Sequence, residues 1–141
     1  MPIIYQKKIL RDDLRTNRNV LYVFGDNAKR RGMGGQAKEM RGEPNAVGIR
    51  TKYAPSNETS AFFREDPAST HEQCDMIDED MLSLRPHLLR GGLVVWPTDG
   101  IGTGLADMQY KAPSTWEHMD RKFTELWDAF NTTRAIEGED V

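Results

Sequence analysis

Two clusters of glycine are the residues of this chain whose types and spacing best suit chemistry. Gly32, Gly34 and Gly35 lie in the segment GDNAKRRGMGG, just ahead of a short helix-forming stretch. The second cluster is Gly100-Ile101-Gly102-Thr103-Gly104, which sets one hydroxyl among its amides. Glycine lets backbone approach a ligand closely, and the free N–H groups of such loops and of helix N-termini bind anions. Two amide nests facing each other suit a diphosphate better than a single phosphate. Each loop taken alone reads equally well as a tight turn. Neither is a Walker motif, because no Lys-Ser/Thr pair follows the glycines. Neither places G-x-G-x-x-G at a first strand-to-helix turn, as a dinucleotide fold would.

The elements that must hold these loops follow from hydrophobic patterning. Ile3 to Leu10 reads as a first strand and is followed by a polar stretch from Arg11 to Asn19. Val20 to Phe24 is a short apolar run that stops at Gly25, and Asn45 to Thr51 and Leu93 to Trp96 are two further buried-strand candidates. Gln36 to Arg41 can form a short helix, halted by Gly42 and Pro44. Tyr53 to Ser69 is an irregular excursion containing the pair Phe62-Phe63. Thr70 and Gln73 make a capping box for a helix whose stripe is Cys74, Ile77, Met81, Leu84 and Leu88, with a kink expected at Pro86. Pro113 and Ser114 open the last helix, whose stripe runs through Trp116, Met119, Phe123, Leu126, Trp127 and Phe130. Apolar strands alternating with amphipathic helices imply an α/β sheet covered on both faces, with ligands at the carboxyl ends of the strands. Both glycine loops follow directly from strand ends.

Composition narrows the classes of function. A chain of 141 residues makes one domain, expected over 1–135, with an acidic tail at 136–141 that should fray. A net charge of −3 offers no general electrostatic grip on nucleic acid, so any bound phosphate needs a local device. The single cysteine, Cys74, cannot form an intramolecular disulfide and fits a reducing compartment. No run reaches membrane-spanning length and the first residues lack a signal-peptide core, so a cytoplasmic protein without membrane contact is expected. The three histidines are widely spaced, and no metal site is expected.

Three pieces of the chain, in order, resemble the macro domains, which bind ADP-ribose and often process it. VFGDNAKRRGMGGQA (23–37) resembles the signature in which a strand ends in an asparagine, here Asn27, and a glycine run opens a helix. Asp13 lies at the family's spacing ahead of that asparagine, where an aspartate hydrogen-bonds the adenine amino group. Pro97, then Gly100 to Ala106, resembles the second phosphate loop. The resemblance covers about residues 3–130 and implies a three-layer α/β/α fold with a mixed central sheet. It implies a ligand site of Asp13, Asn27, Gly32, Gly34, Gly35, Thr51, Gly100, Ile101, Gly102, Thr103, Gly104 and Leu105, in which the Gly34-Gly35 and Gly102 to Gly104 amides hold the diphosphate and Asn27 orients the distal ribose.

Within that family the chain is similar to the branch that removes terminal ADP-ribose from protein carboxylates or DNA bases. That branch carries a Thr-Lys pair at a strand end, matched by Thr51-Lys52, whose lysine attacks the distal ribose. A desolvated lysine can be such a nucleophile, although a strand-end lysine also simply reaches into water. Some members carry an acidic residue after the second loop. Here Ala106 stands in that place and the carboxylate follows at Asp107, with Asp99 a weaker substitute. The implied function is hydrolysis of an ADP-ribosyl conjugate, with Lys52, Asp107 and Asn27 catalytic and no cofactor. The alternative is a module that only binds ADP-ribose or an ADP-ribosylated macromolecule. Two further features stay open: Lys29, Arg30 and Arg31 can meet phosphate or water, and Phe62 and Phe63 can close on a ligand or anchor their loop.

Overall fold

The computed structural model describes residues 1–132. The acidic stretch 136–141 and the expected domain end at 135 lie outside the described residues. Among the described residues there are four strands: β1 (Ile3–Gln6), β2 (Leu21–Asn27), β3 (Ala46–Lys52) and β4 (Val94–Pro97). Between and after them come α1 (Arg11–Thr16), α2 (Ala37–Met40), α3 (Pro67–Met81), α4 (Leu84–Leu89), α5 (Met108–Lys111) and α6 (Pro113–Trp127). A 3₁₀ turn at Thr59–Ala61 and a π-helical turn at Asp128–Thr132 complete the described chain.

The sheet runs in the order β1-β4-β2-β3 and every strand pair in it is parallel. The mixed sheet implied by the family resemblance is therefore corrected. Each connection between successive strands contains a helix, and such a crossover returns the chain in its original direction. Among the described residues the one antiparallel pairing is an isolated bridge between Lys52 and Phe62.

Alternate strand residues feed two apolar clusters. Ile3, Val23, Ile49, Val94 and Trp96 pack with Ile77, Leu84, Leu88, Met119, Phe123 and Leu126 from α3, α4 and α6. Tyr22, Phe24 and Val95 pack instead with Leu14 of α1 and Ala37 and Met40 of α2. The edge strand β1 is tied down by Asn131, whose side chain accepts from the Ile3 N–H at 3.0 Å and donates to the Ile3 carbonyl at 2.9 Å.

Several expected boundaries move for local reasons. β1 ends at Gln6, and α1 begins where the Asp13 carboxylate accepts from the Leu10 N–H at 2.9 Å. β2 runs on through Gly25, which pairs with Ile49. α3 starts a turn earlier than the Thr70–Gln73 box, because Asp66 accepts from the Ser69 N–H at 2.9 Å and Pro67 occupies the first helical position. Gln73 is buried and spends its amide on Tyr53, Arg64 and Thr115. Pro86 sits in the first turn of a separate helix, where its missing N–H costs nothing, so the expected kink is a break between Met81 and Leu84.

Candidate functional site

The carboxyl ends of β2, β3 and β4 open on one cavity of about 460 Å³. Its walls are the first glycine loop (Arg31 to Ala37), the strand end Thr51-Lys52 with Pro55, and the second loop (Asp99, Gly100 and Gly102 to Ala106). Parallel strands carry the loops to a common edge, which is why segments so distant in sequence share one concavity. Two glycines are obligatory on conformational grounds. Gly32 has φ +103°, and a Cβ there would lie 3.1 Å from Pro55. Gly102 has φ +79°, and its Cβ would lie 3.0 Å from the Met108 sulfur. The Leu105 side chain comes within 4.0 Å of where a Cβ on Gly34 would stand, so the two loops meet at the cavity rim.

The first loop is held by side chains that sequence reading overlooked. Gln36 accepts from the Gly25 N–H at 2.9 Å and donates to the Gly100 carbonyl at 3.2 Å, joining the two loops. Arg41 donates to the carbonyls of Gly32 at 2.8 Å and Arg31 at 3.3 Å, and to the buried Asp26 carboxylate at 2.6 Å. Burial alone would raise the Asp26 carboxyl. The hydrogen bonds from Arg41, the Asn27 N–H and Arg30 outweigh it and hold the group below the usual carboxylate range. The signal for this frame was a charged residue one position before Asn27 in an otherwise buried strand.

Asn27 is buried and lines the cavity, but its amide is engaged within its own loop. Its Nδ2 donates to the Arg31 carbonyl at 2.8 Å and its Oδ1 accepts from the Lys29 N–H at 3.0 Å. Arg30 turns away to Asp26, Gly48 and Asp80, while Arg31 lines the cavity. Thr51 is buried on the cavity wall and its hydroxyl donates to the Asp26 carbonyl at 3.2 Å. In the second loop the Thr103 hydroxyl donates to the Asp99 carbonyl at 2.7 Å. Ile101 belongs to the apolar core and anchors the loop instead of lining the cavity, whereas Leu105 stands exposed at the rim.

Lys52 is 7% exposed, and its ammonium donates to the Ser56 carbonyl at 2.8 Å and lies 4.3 Å from the centre of the Phe62 ring. Burial, and secondarily the charge of Lys111, push its pKa below the ordinary lysine value. Phe63, by contrast, is buried and packs edge-on against Tyr53, anchoring the loop; neither phenylalanine lines the cavity, and Phe62 meets it only through Lys52. Asp13 does not line the cavity; its carboxylate holds the Leu10 N–H and the Gln6 side chain. Asp107 does not line it either, having left-handed backbone (φ +48°) at the start of α5, while Ala106 and Asp99 do. Among the described residues, no group of three or more His, Cys, Asp or Glu is placed to hold a metal ion, and no helix is long and apolar enough to cross a membrane.

Neither the curated proteins nor the solved structures contain a match to this chain. A family described as "Family of unknown function (DUF7831)" matches residues 4–122, which include β2, β3 and β4, all but the first residue of β1, and both glycine loops. With most of its length matched, the chain belongs to that family, DUF7831.

Proposed function

We propose that this protein binds ADP-ribose in the cavity at the strand ends and hydrolyses an ADP-ribosyl conjugate there. The observation that carries the proposal is the meeting of two glycine loops and a buried lysine in one concavity. The loop amides supply donors for a diphosphate, and Arg31 adds a positive charge beside them. A cavity of about 460 Å³ falls in the range that encloses cofactor-sized ligands, about 300–1,000 Å³. Lys52, desolvated at the same wall, is the amine that acts on the anomeric carbon of the distal ribose. Asn27 contributes to the ribose wall chiefly by shaping the loop. On this reading the sheet, with α1 and α2 on one side and α3, α4 and α6 on the other, is a three-layer macro-like domain working in the cytoplasm on an ADP-ribosylated macromolecule.

A second reading is a module that binds ADP-ribose without turning over a conjugate. It is favoured by Ala106 on the cavity wall where an acid would serve, and by Asp107 lying off it. Lys52→Ala separates the two. Loss of release of ADP-ribose from a carboxylate-linked peptide, with ADP-ribose binding retained, supports the hydrolase. A wild-type protein that binds ADP-ribose tightly yet releases none supports the module.

A further inference from the structure

Lys52 is not the only amine at the Phe62 ring. Lys111, the last residue of α5, lies with its ammonium 4.4 Å from the same ring centre, against 4.3 Å for Lys52. Lys111 is exposed and does not line the cavity, so an ordinary lysine there would extend into water. Among the described residues neither ammonium forms an ion pair. The nearby acids are otherwise disposed. Asp26 at the end of β2 is paired with Arg41 and Arg30, and Asp99 lines the cavity without reaching either lysine. Glu58, ahead of the 3₁₀ turn, and Asp107, at the start of α5, also make no ion pair with them.

One aromatic ring therefore meets two cations, and among the described residues no carboxylate pairs with either. A phenyl quadrupole attracts a single ammonium by about 0.5–2 kcal/mol, whereas two like charges on one ring oppose each other. We propose that Lys111 is a positioning residue that activates Lys52: laid on the shared Phe62 ring, its charge disfavours a second positive charge in the cavity wall. Lys52 then presents an amine lone pair to the cavity, and Lys111 itself never touches the ligand. A lysine made nucleophilic by a neighbouring cation is an established device in amine catalysis. The inference rests on Lys52 as the reacting amine, and it explains why that lysine is placed at the cavity without a carboxylate partner.

The test is site-resolved competitive acetylation of the folded protein across pH, read by peptide mass spectrometry. The exposed Lys7 and Lys8 serve as internal references. Wild-type Lys52 is expected to titrate below the references. Lys111→Gln removes the charge and should lower Lys52 labelling near neutral pH by roughly threefold to tenfold, a midpoint shift of about half to one unit. Lys111→Arg keeps the charge and should retain the wild-type midpoint. An unchanged Lys52 midpoint in Lys111→Gln overturns the proposal. So does a Lys111→Arg protein that shifts as far as Lys111→Gln, because the effect would then be packing. No nucleotide is present in this assay, so its failure is distinct from a failure to bind ADP-ribose.

Discussion

Lys52 concentrates the chemistry of the site because its surroundings oppose its charge without cancelling it. It is buried, has a carbonyl and a ring for company, and pairs with no acid among the described residues. Whether it acts as a nucleophile or as a positive charge can be decided by keeping the charge and removing the amine. Arginine stays protonated at any working pH, so Lys52→Arg preserves electrostatic assistance and abolishes attack. The hydrolase reading predicts that Lys52→Arg loses turnover as fully as Lys52→Ala, by about a hundredfold or more. Substantial turnover in Lys52→Arg would assign the residue a polarising role instead. Asp26 stands in contrast: equally buried, it is matched by two arginines and serves the frame of the loop.

At the scale of elements, the glycine loops are preformed because side chains of the loops and of the α2 C-cap tie their backbones down. Gln36 links the first loop to the second, Arg41 fixes the carbonyls of Gly32 and Arg31, and Ile101 roots the second loop in the core. Gly102 is the position where this construction tolerates least. Val there would have to adopt φ +79° with its Cβ 3.0 Å from the Met108 sulfur, and Met108 is fully buried. Gly102→Val should destabilise the fold by about 1–3 kcal/mol, read as a lowered denaturation midpoint, and should weaken ADP-ribose binding further than that loss explains. The glycine clusters and the strand ends that carry them were legible in the sequence because short apolar runs and glycine punctuation are local signals. Gln36, Arg41 and Lys111 were not legible. Their importance comes from partners such as Gly100, Asp26 and Phe62, which only the folded chain brings near. Asp13 matched a spacing and Asp107 missed one by a single residue, and spacing carries no information about which way a carboxylate faces.

For the molecule as a whole, strand order was the least accessible feature. Apolar runs identify strands, but nothing local says that β4 inserts between β1 and β2, or that Asn131 closes onto Ile3. The parallel arrangement follows once each crossover is seen to contain a helix. Charge contributes a separate tie. Glu43, between α2 and β3, receives Arg11 at 2.7 Å, Arg18 at 2.8 Å and Arg15 at 3.3 Å, which hold its carboxyl at about 2 against a usual 4.5. A depressed carboxyl stabilises the fold above its unfolded value and loses that contribution as pH falls. Wild type should therefore be more stable than Glu43→Gln above about pH 4.5, with the difference vanishing as pH falls through about 2, as measured by thermal melts across that range. The most direct test of the functional claim is calorimetric titration of the purified protein with ADP-ribose, with AMP and NAD as comparisons. The account predicts micromolar binding selective for ADP-ribose. The absence of heat with all three ligands would contradict it and return the glycine loops to the status of turns.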